Sequence, residues 1–282
     1  MKRTIGALLL GSPLLGALLG GCAINDGQGE DLSRFAKPSA FQLASPTIEA
    51  TPATRILSGP TTARLILDRE DIDLRYTWDG SVPTESSPRY VEPLVVQKGG
   101  ELQVVAFGDG FAASEVARAQ FVAPGRTLSN VRVEPAPSKP YAGSGAGTLT
   151  DGVAGSGDFR DGRWLGFQSA VTITGDLGER AELSRVLVGT RQDPGSWIFF
   201  PESVRVEVSE DGETFALWAT VEGASKGSRT HFIEIEAEPR SARWLRITVT
   251  PPAKLPEDHP GYPNGKPWLF LDEVIVGTAE GP

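Results

Sequence analysis

The chain has 282 residues, with 27 Lys or Arg against 36 Asp or Glu, and its formal net charge is −9 at pH 7. An acidic surface repels phosphate backbones, so the composition argues against nucleic acid as a partner. The 33 Gly and 22 Pro residues keep apolar runs short, and beyond residue 21 no helical periodicity persists for more than about two turns. This pattern favours an all-β architecture with many turns.

The N-terminal segment has the parts of an export signal. Two basic residues precede an apolar run over residues 5–19, which is shorter than the ~20 apolar residues that span a bilayer. The sequence Leu-Gly-Gly-Cys that follows resembles the lipobox of bacterial lipoproteins, and Cys22 is the one cysteine of the chain. The resemblance implies a signal peptide over residues 1–21 and a lipid anchor on Cys22. It also implies a place in the bacterial cell envelope, and Ala23 implies sorting to the outer membrane.

Residues 22–44 are polar and small, which is typical of a flexible tether. A first β-domain is predicted over residues 45–123, where apolar side chains at positions 72, 74, 76 and 78 alternate with polar ones, the period-2 pattern of a half-buried strand. Two more strands are predicted, at 102–107 and at about 113–122. Residues 124–139 are rich in proline and poor in apolar residues, and they are predicted to form a linker.

A second β-domain is predicted over residues 140–278. Valines alternate with polar residues over 204–208, and an Asp-Gly pair at 211–212 predicts a hairpin turn. Separate strands are predicted around Ile233 and Ile235 and over residues 245–249. Short strands with turns this frequent predict a sandwich or jelly roll.

The first domain contains the run YTWDGS at 76–81, prolines at 83 and 88, Tyr90 and the predicted strand at 102–107. In these residues it resembles the small immunoglobulin-like module on the C-terminal side of chitobiases and β-hexosaminidases. The resemblance implies a small β-sandwich and carries no binding role with it.

Six stretches of the second domain carry a second resemblance, and they lie at 149–152, 158–167, 192–201, 209–215, 242–246 and 268–274. Through them the domain resembles discoidin domains, also called coagulation factor V/VIII type C domains, whose bacterial members include the family 32 carbohydrate-binding modules. The resemblance implies a galactose-binding-type β-sandwich jelly roll, and the order of the two domains resembles the tail of family 20 β-hexosaminidases. The catalytic barrel of those enzymes needs about 250 residues, and the two predicted β-domains leave no stretch of that length.

The sequence predicts a protein that is not an enzyme. His231 and His259 are its two histidines, and no metalloprotease, nucleophile-elbow or P-loop motif occurs. Asp272 and Glu273 are neighbours on a predicted strand, so they are expected to point to opposite faces and not to form the facing carboxylate pair of a glycosidase.

A structural Ca²⁺ is implied by the discoidin resemblance. Asp151 and Glu273 would supply carboxylate oxygens, and backbone carbonyls of the 151–161 loop would complete the shell. Hard oxygen ligands suit Ca²⁺. On the alternative interpretation, Asp151 belongs to a plain turn and Glu273 is a solvated edge residue.

The predicted function is carbohydrate binding by loops of the discoidin-like domain, since flat aromatic faces with a few polar groups suit a pyranose. Trp164 and Trp268 can equally be core residues, and Trp197 can be either a ligand platform or packing under a loop. The alternative function is a structural or interaction module that docks an envelope protein or a glycoside hydrolase. The candidate ligand-binding residues are Trp164, Arg191, Gln192, Asp193, Trp197, His259, Tyr262 and Trp268.

Overall fold

The computed structural model describes residues 41–223 and 230–278. Its regular elements are strands and short 3₁₀ turns at Lys139–Tyr141, Gly145–Leu149 and Pro194–Ser196. Within the described residues, no helix is long and apolar enough to cross a membrane. The all-β fold predicted from the composition is therefore confirmed, while the leader, Cys22 and most of the tether lie outside the described residues.

The first module contains six strands in two antiparallel sheets. The sheets have the orders β1-β2-β4 and β3-β5-β6, and buried residues such as Leu65, Leu102 and Phe121 form one core cluster from both. This is a small sandwich. The strands are β1 (Thr47–Thr51), β2 (Thr61–Ile66), β3 (Asp73–Thr77), β4 (Leu94–Val96), β5 (Gly100–Phe107) and β6 (Ala117–Phe121).

The second domain is built on one sheet in which two strands of 21 residues serve both layers of a sandwich. The order is β11-β10-β12-β9-β13-β8, and β7 also pairs with β9. The first half of β9 lies beside β7, and its second half lies beside β13. Ile173 and Val188, one from each half, belong to the same core cluster, so the two halves enclose the core. The strands are β7 (Ser129–Glu134), β8 (Leu165–Phe167), β9 (Val171–Arg191), β10 (Ser203–Ser209), β11 (Ala216–Glu222), β12 (Thr230–Thr250) and β13 (Leu269–Thr278).

Two details of the predicted organisation are wrong. Residues 124–139 are not simply a linker, because β7 lies within them and Val133 pairs with Ile173 of β9. The strands predicted around Ile235 and at 245–249 are one strand, β12, whose register against β9 shifts at two places. Residues at the end of the predicted tether also contact the first module, since the backbone N–H of Leu43 donates to the carbonyl of Ala112 at 3.0 Å.

The two modules pack against each other through a shared apolar cluster. Ile56 and Val122 of the first module contact residues of the second, including Phe232 and Ile275. The side chain of Gln120 pairs with the backbone of Phe232 in both directions, donating to its carbonyl at 3.3 Å and accepting from its N–H at 2.7 Å. The contact therefore combines buried apolar surface with satisfied backbone groups.

Candidate functional site

Trp197 lies in a tight turn between β9 and β10. The turn begins with the 3₁₀ residues Pro194–Ser196, and Trp197 closes it with its N–H donating to the carbonyl of Pro194 at 2.9 Å. Its φ of 63° lies in the left-handed region, which is rare for a bulky residue. The turn is fixed from the other side, because the Trp197 carbonyl accepts the N–H of Trp268 at 2.7 Å. The backbone at Trp197 is thus held from both sides.

The indole of Trp197 rests on the loop that precedes β13. A Cβ added at Gly261 or Gly265 would lie 2.9 or 2.7 Å from the six-membered ring, so only glycine permits this approach. The imidazole of His259 meets the ring edge-on, with centroids 5.6 Å apart. The side chain of Trp197 remains 39% exposed. Part of the ring thus packs on the loop and part faces solvent, and the role of Trp197 as a ligand platform stays a prediction.

His259 ties the two loops together. Its Nδ1 accepts the N–H of Gly261 at 3.1 Å, so the proton lies on Nε2, which donates to the carbonyl of Pro194 at 2.9 Å. Both ring nitrogens are therefore engaged within the protein. His259 therefore orients the loop beside Trp197, and its ligand-binding role stays a prediction.

Two predicted ligand residues are buried, and the prediction that they contact ligand is wrong. Trp164 is 1% exposed, and its indole N–H donates to the carbonyl of Ser156 at 3.2 Å. Arg191 is 0% exposed, and its guanidinium donates to the carbonyl of Gly157 at 3.0 Å. The guanidinium carbon also lies 5.5 Å from the centre of the Trp164 ring. Trp164 and Arg191 thus fix the backbone at residues 156 and 157 from the buried side of the loop.

The remaining predicted ligand residues surround the Trp197 turn. Asp193 is partly buried, and its carboxylate accepts the hydroxyl of Ser196 at 3.2 Å. Gln192 and Tyr262 are also partly buried, and the ammonium of Lys254 lies 5.5 Å from the Tyr262 ring. These side chains flank Trp197 in sequence or in the facing loop. Trp268 is instead a packing residue, because its ring meets Tyr141 edge-on at 5.3 Å.

The Trp197 platform is a surface feature. Two cavities of about 270 Å³ lie elsewhere, one lined by β2 and β3 residues such as Leu65 and Leu74, and one beside the turn that joins β10 and β11. Neither is lined by Trp197 or His259.

Asp272 and Glu273 form a second cluster, and they do not point to opposite faces as predicted. The pairing of β13 with β9 shifts between Leu271 and Val274, so both acids stand opposite the single residue Gly189. Such a bulge resets the alternation of side chains. Asp272 accepts the N–H of Gly155 at 2.6 Å, and Glu273 accepts that of Gly152 at 3.1 Å. Both carboxylates thus face one loop.

This cluster is buried and carries like charges. Asp272 is 1% exposed and Glu273 is 3% exposed. Burial raises the pKa of Glu273 to about 9, and the charges of Asp272 and Asp151 add to the effect. Burial also raises the pKa of Asp272 to about 7, although the Arg55 charge acts in the opposite direction. The alternative interpretation of Glu273 as a solvated edge residue is therefore wrong.

The donor set fits the Ca²⁺ that the discoidin resemblance implies. Among the described residues, no group of three or more His, Cys, Asp or Glu side chains could hold a metal. The charge of Asp151 nevertheless raises the pKa of Glu273, and the carboxylate of Glu273 accepts the N–H of Gly152, the residue that follows Asp151. Hard carboxylate and carbonyl oxygens are what Ca²⁺ prefers, and its charge would offset that of the clustered acids.

Sequence reasoning missed the residues that support both sites. Gly261 and Gly265 permit the approach of Trp197, and Gly155 permits that of Trp164, whose ring would lie 2.3 Å from an added Cβ. Glycines in a proline-rich loop are a weak signal because they are equally typical of ordinary turns. Thr54 and Arg55 were also missed, since nothing in the first module's sequence indicates contact with the second.

Comparison with protein families identifies both modules. Residues 136–262 match the family described as F5/8 type C domain, and residues 65–121 match the family described as Fn3 associated. The chain therefore combines an Fn3-associated module with an F5/8 type C, or discoidin, domain. The predicted discoidin resemblance and the predicted sandwich fold are confirmed.

Several solved structures are similar to this chain over about half its length. The C-terminal domain of a chitobiase from Bacteroides fragilis is 16% identical, with a TM-score of 0.36, and the match covers 54% of this chain and 96% of that one. Chitosan-binding module 1 of a chitosanase/glucanase from Paenibacillus sp. IK-5 is 14% identical, with a TM-score of 0.37 and coverage of 54% and 96%. CBM32-3 of a family 31 glycoside hydrolase from Clostridium perfringens is 14% identical, with a TM-score of 0.37 and coverage of 54% and 91%. No curated protein matches the chain.

Proposed function

We propose that this protein is a non-catalytic envelope lipoprotein that binds carbohydrate through its discoidin domain. The observation that carries the proposal is the exposed, backbone-fixed indole of Trp197. A pyranose has an apolar face that packs on an aromatic ring and a rim of hydroxyls that need polar partners. Gln192 and Asp193 lie next to the ring in sequence and supply such groups.

The family of the domain supports this proposal. Bacterial F5/8 type C domains include carbohydrate-binding modules, and residues 136–262, which match the family, contain Trp197, His259 and Tyr262. The described acidic pair is buried against a loop, which suits a structural role better than catalysis.

A glycan array followed by calorimetry tests the proposal. We expect binding of at least one neutral hexose or N-acetylhexosamine ligand, and loss of that binding in Trp197→Ala. Trp78→Ala is the matched control, because Trp78 lies in the first module and is 36% exposed. Equal binding by both variants would refute the role of Trp197. No glycan binding by the folded protein, with capture of an envelope protein or glycoside hydrolase instead, would favour the interaction module.

We also propose that Asp151 and Glu273 hold a structural Ca²⁺. Because a ligand that binds only the folded state stabilises it by mass action, excess Ca²⁺ should raise the melting temperature relative to a chelator. Indistinguishable melting curves in excess Ca²⁺ and in chelator would exclude the ion.

The anchor on Cys22 completes the proposed function, since it would hold the binding domain at the membrane surface. Several acyl chains give stable anchoring where a single chain does not. Cys22→Ser should release the protein from the membrane fraction and abolish incorporation of labelled fatty acid. A Cys22→Ser protein that stays in the membrane fraction would refute a lipid anchor.

A further inference from the structure

The first module contacts the loop that faces the buried acids. We define the docking segment as residues 53–56 and the carboxylate loop as residues 151–157. The hydroxyl oxygen of Thr54 accepts the N–H of Ala154 at 3.5 Å, and Arg163, just beyond the loop, donates to the carbonyl of Ala53 at 3.4 Å. The carboxylate loop is therefore held by the docking segment on one side and by β13 on the other.

Apolar packing joins the same two segments. Ile56 is 3% exposed, Ala154 is 3% exposed, and both belong to one cluster with Phe232 and Ile275. Ala154 lies between Gly152 and Gly155, whose N–H groups donate to Glu273 and Asp272. A shift of the docking segment would therefore displace the residue between the two amides that meet the acids.

Arg55 adds a charge contact to this arrangement. Its guanidinium donates to the carbonyl of Thr230 at 3.4 Å and lies 5.5 Å from the centre of the Phe232 ring, so it is fixed against the start of β12. From there its positive charge acts on Asp272. A residue of the first module is thus fixed against β12 of the second.

We propose that the docking segment of the first module is a clamp that sets the geometry of the carboxylate loop in the discoidin domain. Docking of the modules and ordering of the loop are then one coupled event. Coupling between two sites is reciprocal, so a cation bound by the loop would also strengthen the contact between the modules. The cation part rests on the proposed Ca²⁺ site, whereas the ordering of the loop does not.

Amide hydrogen exchange of the full-length protein tests the clamp without any metal. The variant Thr54→Val with Arg55→Met removes the hydroxyl acceptor and the charge while keeping side-chain size. We expect the amides of Gly152 and Gly155, which do not bond to the docking segment, to exchange about tenfold faster, within the about 5- to 150-fold range of ordinary coupling. Slow exchange of the Val188 amide in β9 will show that the domain stays folded.

Three further measurements make the result decisive. Arg64→Met, at an exposed position of β2, is the control and should leave the exchange unchanged. Two single variants, both with Arg55 intact, keep the test valid if the double variant unfolds. Thr54→Ser keeps the hydroxyl acceptor, so the amides of Gly152 and Gly155 should still exchange slowly. Thr54→Val removes the acceptor, so the same amides should exchange faster. Unchanged exchange at Gly152 and Gly155 in a folded Thr54→Val variant would overturn the clamp.

Calorimetric titration with CaCl₂ should show about tenfold weaker binding to the double variant. Absence of Ca²⁺ binding by the wild type would reject the cation site and leave the exchange result to decide the clamp.

Discussion

Replacing Ile56 with alanine should destabilise the protein far more than its place in a loop suggests. Ile56 is 3% exposed and packs between the modules with Val122, Phe232 and Ile275. The substitution removes three carbon groups at about 0.8 kcal/mol each, or about 2.4 kcal/mol. The cavity left behind adds to this, so the expected loss in the free energy of unfolding is about 3–5 kcal/mol.

Urea unfolding followed by tryptophan fluorescence measures this loss, because the six tryptophans report on both modules. Val91→Ala is the control: Val91 is 80% exposed, and its truncation should change stability by less than about 0.5 kcal/mol. If Ile56→Ala lowers the free energy of unfolding by no more than Val91→Ala does, Ile56 does not pack between the modules. A split into two transitions would show that the contact also makes the modules unfold together.

Three further outcomes are expected. Burial and the Arg55 charge lower the pKa of His231 to about 4. As pH falls, His231 of the unfolded chain is therefore protonated before His231 of the folded protein, and the folded state loses stability between pH 6.5 and pH 4. Because His231 is partly exposed, wild type should lose only about 1–2 kcal/mol more than His231→Gln over that range; parallel stability curves would contradict this. Gly155→Ala should cost about 1–3 kcal/mol through collision with Trp164, whereas Gly157→Ala, with open space around it, should not; equal melting temperatures would refute the collision. Glu273→Gln should abolish the Ca²⁺-dependent rise in melting temperature, and a rise of wild-type size would exclude Glu273 as a ligand.

Alternation of apolar and polar residues predicted strands whose two faces differ, such as β10. It missed β7, where Val131 and Val133 alternate with Arg132, because the prolines on either side favour an irregular segment. It also divided β12, because the charged residues between Ile235 and Leu245 hide the continuity of a strand that passes from one layer to the other. Both the presence of β7 and the continuity of β12 depend on pairing with other strands, which the local sequence does not specify.

The candidate sites show the same limit. The prediction for Asp272 and Glu273 failed because the bulge depends on how β13 meets Gly189, more than 80 residues away in sequence. The exposure of the aromatic loop residues was not predictable from the local sequence. Trp164 is covered and Trp197 is open because of glycines and partners in other loops.

The left-handed turn at Trp197 also bears on how much conformational freedom this loop would lose on binding a ligand. A side chain on a mobile loop loses freedom when a ligand arrives, and that loss weakens affinity. Here the turn and the neighbouring glycines restrict the ring during folding. A carbohydrate bound at Trp197 as proposed would therefore meet a preformed surface, and the free and bound backbones of this loop should differ by less than about 1 Å.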